Sequence, residues 1–303
     1  MPESPIDQGD RRAVKKLTVR ADAPGIVHLA VQGGLLIATG ALCLTLDGIA
    51  LVAAMTAHGI LLVFLFPPLH ESVHRTAFAT PWINKAVADV CGFLLLLPPR
   101  WFTAFHMAHH RFTQDPERDP ELASPKPTAL SHYLFLLTGI EYWYRMARGL
   151  IGRALGRAPG AFLDTRSRRR SIVEARVYLA LYAGIAVLAA ATDPYPLLVL
   201  WVGPAVLGQP FLRAYLLSEH WGCPAVKNMW ANTRSVVSVA PIRWLAWNMP
   251  YHAEHHANPG VPFHALPAYG ALMAGSRQVE AAGYAPFHGE RIAALRDGTA
   301  EPL

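Results

Sequence analysis

An all-α integral membrane fold is what this sequence predicts: two transmembrane helical hairpins, four spans in all, under a cytosolic helical cap that carries clustered histidines. Three observations predict it. The 303-residue chain is 52% hydrophobic and only 16% charged, where a soluble domain carries about 25% charged residues. Its apolar residues gather in long runs. Its Lys and Arg avoid the turns that join paired runs.

Taken in order, residues 1–24 are polar and basic and are expected to form a flexible cytosolic arm. A membrane domain follows over 25–268, and a polar cytosolic tail over 269–303. Gly25 to Leu46 is apolar apart from His28 and Gln32. This run is too long for the apolar part of a cleavable leader, so it reads as a retained span. Asp47-Gly48 makes a turn, and Ile49 to Leu69 is apolar again. About 20 residues cross a hydrocarbon core as a helix, so these two runs form a hairpin with almost no far-side loop. Pro67-Pro68 ends the second run, and His70 follows at the boundary. Pro81 to Pro99 is too short to span and carries Lys85 and Asp89, which predicts a re-entrant or interfacial segment. Arg100-Trp101-Phe102 anchors the chain at the interface. Tyr133 to Trp143 reads as an amphipathic surface helix, and Arg166 to Arg170 as a solvated basic face. Val177 to Thr192 and Leu197 to Leu217, joined by Asp193-Pro194-Tyr195-Pro196, form the second hairpin. It delivers Glu219-His220-Trp221 to the same boundary as His70.

Charge sets the orientation. Residues 1–24 hold 5 Lys or Arg, residues 70–176 hold 15 and residues 213–303 hold 7, which accounts for all 27. Cytoplasmic loops collect these residues, so both termini and every histidine cluster are expected on the cytosolic side. The net charge of +6 follows topology and forms no nucleic-acid surface. Cys43, Cys91 and Cys223 are too scattered for a disulfide framework or a cysteine metal site.

The chemistry lies in the histidines. His70 and His74 stand at i and i+4. His106, His109 and His110 stand at i, i+3 and i+4, and His252, His255 and His256 repeat that spacing. On a helix these positions share one face. A face of imidazoles packs poorly and binds zinc, copper, iron or nickel well. Eight such ligands are too many for one ion, so two ions are expected. His220 is expected as a ninth ligand because the second hairpin places it beside the clusters. Ligating imidazoles need partners on their second nitrogen, and Glu71, Asp115, Glu219 and Glu254 are the main candidates, with Asp89 and Asp119 beside them. Glu254, at i+2 in its cluster, is expected to orient a histidine of a neighbouring helix. Asp115-Pro116-Glu117 and Asp119-Pro120-Glu121 could equally be turn and cap residues.

At these residues the sequence resembles the membrane fatty acid desaturase superfamily. His70-Glu-Ser-Val-His74, His106-Met-Ala-His-His110 and His252-Ala-Glu-His-His256 are similar to its three histidine boxes, over about residues 65 to 268. The flanks, His-His-Arg-Phe-Thr-Gln-Asp-Pro-Glu and Asn-Met-Pro-Tyr-His-Ala-Glu-His-His, look like those of acyl-lipid desaturases. The resemblance implies two iron ions, O2, an acyl substrate from the bilayer and insertion of a C=C bond. It also implies a ligand at His220. Leu216 stands where stearoyl-type enzymes have an asparagine. The chain has no Gly-x-Gly-x-x-Gly fingerprint and no ferredoxin cysteine spacing, so a separate ferredoxin or cytochrome is expected to supply electrons. Hydroxylase or ketolase chemistry on the same scaffold is the nearest rival. A metal transporter would need mid-membrane ligands, for which only Gln32, His58 and Gln209 qualify. A membrane cytochrome would need histidines within facing spans. Arginine outnumbers lysine heavily and no organelle signal is present, which suggests a bacterial inner membrane.

Overall fold

The computed structural model describes residues 8–300. The first element, α1 (Gln8–Leu17), lies in the stretch expected to be a flexible arm. Val14 and Leu17 share one of its faces and pack on the core, so an amphipathic stripe gives the arm a fixed part. Four stretches are long and apolar enough to cross a bilayer: Asp22–Thr45, Gly48–His74, Thr165–Ala191 and Tyr195–His220. They are the two expected hairpins. α2 (Asp22–Thr45) and α3 (Gly48–Val63) form the first, and α4 (Phe66–His74) continues it beyond Phe64-Leu65. Outward residues such as Ile37 (77% exposed) and Ile49 (84%) mark a lipid-facing surface.

α5 (Pro81–Leu94) and α6 (Pro99–Phe112) meet at a bend of 100°, so the stretch expected to be re-entrant or interfacial is one arm of a sharply bent pair. Such a bend leaves carbonyls unpaired where water is scarce, a cost of several kcal/mol for each group. Three aromatic side chains meet that need. Tyr182 Oη donates to Phe93 O at 2.7 Å, Trp201 Nε1 to Leu94 O at 2.8 Å and Tyr142 Oη to Leu95 O at 2.8 Å.

The surface helix expected over Tyr133 to Trp143 is two helices, α7 (Leu130–Leu137) and α8 (Ile140–Ala154). Gly139 divides them with φ +71°, and a Cβ there would stand 2.6 Å from the Gln209 side chain. The third span starts earlier than hydropathy suggests. α9 (Thr165–Ala191) takes the Arg166–Arg170 run into its first turns, capped by Asp164, which accepts from Ser167 N at 2.6 Å. Hydropathy marks where lipid begins, and nothing in that run stops a helix.

The fourth span comprises α10 (Tyr195–Leu197), a π-helical turn over Leu198–Val202, and α11 (Gly203–His220). The rest of the cap contains α12 (Met229–Asn232), α13 (Ala240–Leu245), α14 (His252–Ala257), α15 (Leu266–Leu272) and α16 (Tyr284–Arg296). β1 (Ser235–Val236) pairs in parallel with β2 (Glu280–Ala281). The expected boundary at residue 268 falls inside α15. Beyond it, α16 buries Phe287 beside Tyr133, Leu217 and Trp221, so this part of the expected tail packs on the membrane domain.

Polar residues inside the spans bond to neighbouring groups, and two of them, Gln32 and His58, join helices. Gln32 Nε2 donates to Leu61 O at 3.0 Å and Phe64 O at 3.2 Å, serving carbonyls that the end of α3 leaves free. His58 reaches Leu200 O at 3.1 Å in the π-turn and Thr39 Oγ1 at 2.8 Å. Gln209 Oε1 accepts from Arg213 Nε at 3.0 Å. The residues a transporter would need are thus engaged in packing.

α3 and α11 cross with their backbones in contact at Gly59 and Gly208. A Cβ on Gly208 would collide with Gly59 O, and one on Gly59 with Pro204 O. Small residues allow this approach in lipid. Gly208→Val is expected to destabilise the protein by about 1–3 kcal/mol, read as a lower midpoint in thermal unfolding of the detergent-solubilised protein. An unchanged midpoint would contradict the crossing.

Candidate metal centre

Each histidine cluster sits on a short helix of its own. α4 carries His70 and His74 directly beyond the first hairpin. α6 carries His106, His109 and His110, and its free N-terminal amides are capped by Glu174 from α9. The Glu174 carboxylate accepts from Arg100 N at 3.1 Å, Trp101 N at 3.3 Å and Arg100 Nη1 at 2.7 Å. α14 carries His252, His255 and His256. Glu254 is fully buried and accepts from Ser235 Oγ at 2.5 Å and from Arg277 Nε, which ties α14 to β1 and to the chain after α15.

The nine expected histidines come together in two groups. His70, His74, His106, His110 and His255 offer five nitrogens within 4.8 Å of one another. Within this group His106 Nε2 lies 2.8 Å from His74 Nε2 and 3.0 Å from His110 Nε2, and His255 Nε2 lies 3.2 Å from His110 Nε2. His109, His220 and His256 form a second set within 4.8 Å, and His252 Nε2 joins it 3.1 Å from His220 Nε2. Two nitrogens at right angles on an ion ~2.1 Å from each would stand ~3 Å apart, close to these spacings. The remaining histidines lie elsewhere. His28 packs between Trp244, Trp247 and Phe263, and His288 bridges Tyr133 Oη and Ala214 O.

The proton positions in the second group follow from its partners. A carboxylate or carbonyl oxygen only accepts. Asp119 accepts from His109 Nδ1 at 3.0 Å, and Asn232 O from His220 Nδ1 at 3.3 Å. Thr113 Oγ1 donates to His109 O at 2.7 Å and lies 3.1 Å from His256 Nδ1, from which it accepts. All three rings therefore turn a bare Nε2 inward. His256 Nε2 and both nitrogens of His70 are buried without a protein partner. Burial, and then the neighbouring imidazoles, hold His252, His255 and His256 well below the ordinary imidazole range, which keeps them neutral and able to bind a cation. Lone pairs that face each other in a dry interior repel; a cation between them removes the conflict. The donor set fits two transition-metal ions.

The candidate carboxylates divide. Glu71 is fully buried; its Oε2 accepts from Thr76 Oγ1 at 3.0 Å and Phe263 N at 3.1 Å, while Oε1 faces His255 Nδ1 at 3.8 Å and His70 Nδ1 at 3.9 Å. Glu219 Oε1 stands 3.6 Å from His252 Nδ1. These two are beside the clusters at longer than hydrogen-bond distance. Asp115 instead pairs with Arg118 at the surface, and Asp89 with Lys85 and Arg100. Glu254 touches no histidine: at i+2 it points away from the ligand face, to Ser235 and Arg277. Asp119 is both cap and histidine partner, since it also accepts from Gln114 N and Glu121 N, each at 2.9 Å. Thr113 and Asn232 were not visible as partners in the sequence, because only folding brings them to the rings.

Helical membrane proteins with two buried polyhistidine sets at one end of paired hairpins form a narrow class, and the comparisons place the chain within it. The profile described as Fatty acid desaturase matches residues 48–288; the chain belongs to the fatty acid desaturase family. It is similar to Sphingolipid delta(4)-desaturase DES1 of Drosophila melanogaster, at 28% identity over 72% of this chain and 64% of that one. It is also similar to Sphingolipid delta(4)-desaturase DES1-like of Arabidopsis thaliana, at 24% identity over 65% of this chain and 55% of that one. The chain thus spans less than two thirds of the length of either relative.

Asp119→Ala removes the acceptor that fixes the His109 tautomer. It is expected to weaken metal retention by the second group about 10- to 100-fold, measured by competition with a chelator. Retention equal to that of the unaltered protein would contradict the assigned role.

Proposed function

We propose that this chain is a membrane oxidoreductase of the desaturase type. It introduces a C=C bond into the acyl chain of a lipid, using two iron ions, O2 and a separate electron donor of ferredoxin or cytochrome type. The observation that carries this reading is the pair of buried nitrogen sets, one of five histidines and one of four, at the cap end of both hairpins. The names of the relatives support desaturation over hydroxylation, and make a sphingolipid the first substrate to test.

The balance of the reaction sets what the protein must do. Two hydrogens leave adjacent carbons with two electrons; the donor supplies two more electrons, the solvent two protons, and O2 becomes two molecules of water. When bound, the ions supply an oxidising power toward unactivated C–H bonds that no side chain has. The protein contributes position and dryness. His70, His255 and His220 are almost fully buried, so the ligand sets exclude bulk water. Asp119, Asn232 and Thr113 hold ring orientations in advance. The apolar substrate arrives from the bilayer beside which the clusters lie. The Lys and Arg distribution supports a cytosolic site, and the composition supports a bacterial inner membrane. A basic recess lined by Arg111, Arg118 and Lys227 borders Thr113, next to His256, and suits an acidic electron donor.

Expression in a host lacking this activity, followed by mass spectrometry of its lipids, tests the reading. A product lighter by two hydrogens is expected, and His255→Ala should abolish it while lowering bound iron. A product that gains oxygen would make the chain a hydroxylase, and full activity in the alanine variant would remove His255 from the site.

A further inference from the structure

One histidine of the four-histidine group has a carboxylate beside it that no histidine spacing announces. Glu121 lies in the turn Pro120–Ala123 that follows α6. Its Oε1 accepts from Lys126 Nζ at 2.7 Å, and its Oε2 stands 3.5 Å from His109 Nε2. In the neutral tautomer that Asp119 selects, the His109 proton is on Nδ1 and this nitrogen is bare. His220 Nε2, bare for the same kind of reason, is 3.2 Å from His109 Nε2. Two lone pairs therefore face an oxygen of Glu121, whose side chain is 32% exposed, and among the described residues the cationic side chain paired with Glu121, Lys126, is on the opposite oxygen. A positive charge among these atoms, either a second proton on His109 or a metal ion, relieves the repulsion, and the test below separates the two. The backbone holds the carboxylate in place: Glu121 N donates to Asp119 Oδ1 at 2.9 Å, so one aspartate orients both His109 and Glu121. Lys126 is itself buried, at 8% exposure.

We infer that Glu121 is a ligand of the ion held by His109, His220, His252 and His256. One site then consists of five imidazoles, and the other of four imidazoles and a carboxylate oxygen. This rests on the two-ion reading proposed above. A carboxylate is a harder ligand than imidazole and brings a negative charge, so the two ions are chemically inequivalent. Lys126, bound to Oε1, leaves Oε2 for the metal and limits the charge at the site.

The test uses the full chain in detergent, loaded with iron and followed by metal analysis and Mössbauer spectroscopy. The unaltered protein should hold two ions per chain. Glu121→Gln should release one of them to a chelator at least about tenfold faster and change one quadrupole doublet, the other doublet showing that the fold persists. Lys126→Met should keep both ions and both doublets. Unaltered release and spectrum in Glu121→Gln would overturn the inference while leaving the two-ion reading intact. So would the same loss in Lys126→Met, which would make the ion pair responsible. If the glutamine variant holds neither ion, Glu121→Asp decides: recovery of both ions supports ligation, and loss of both overturns it. Fewer than two ions in the unaltered protein would remove the two-ion reading itself, and this inference with it.

Discussion

Bare imidazole nitrogens turned toward one another in a dry interior are the constraint on which this molecule is built. Neutral rings 2.8 to 3.2 Å apart, nitrogen to nitrogen, can satisfy only some contacts with their own protons. In the second group even that relief is closed, because Asp119, Asn232 and Thr113 take the protons on the outer nitrogens. The energy of that arrangement depends on what sits between the rings. A fold that fixes the tautomers so firmly is prepared for cations.

The rest of the architecture keeps the rings where they are. Three short helices bring the boxes, and each is secured by a different device. α4 is a direct extension of a span. α6 is started by Glu174 and leaves a sharp bend whose carbonyls are met by Tyr182, Trp201 and Tyr142. α14 is held through Glu254 by Ser235 and Arg277. Close passage of α3 and α11 at Gly59 and Gly208 sets the distance between hairpins, and so between His70 and His220. Where water is scarce an unmet polar group is costly, and rigidity follows from meeting it.

Much of this was legible in the chain. Apolar runs of spanning length, uncharged turns and three histidine spacings located the hairpins and the boxes, and hairpin topology alone brought His220 beside them. Hydropathy could not see that α9 begins at Thr165, since a helix can extend past the lipid. It could not see the helix over Gln8–Leu17, whose burial is tertiary. Nor could spacing show how the nine rings divide: His109 and His110 are neighbours in sequence, yet a turn of about 100° between adjacent helical residues sends them to different groups. Asp119 looked like a turn residue because it is one; its second role needs His109 folded over it. Asn232 acts through its backbone carbonyl, which leaves no mark on residue identity.

Crystals of the iron-loaded protein, measured on both sides of the iron absorption edge, address the central claim directly. Two anomalous peaks per chain are predicted, one among His70, His74, His106, His110 and His255, the other among His109, His220, His252 and His256. A single peak, or peaks away from these rings, would contradict it.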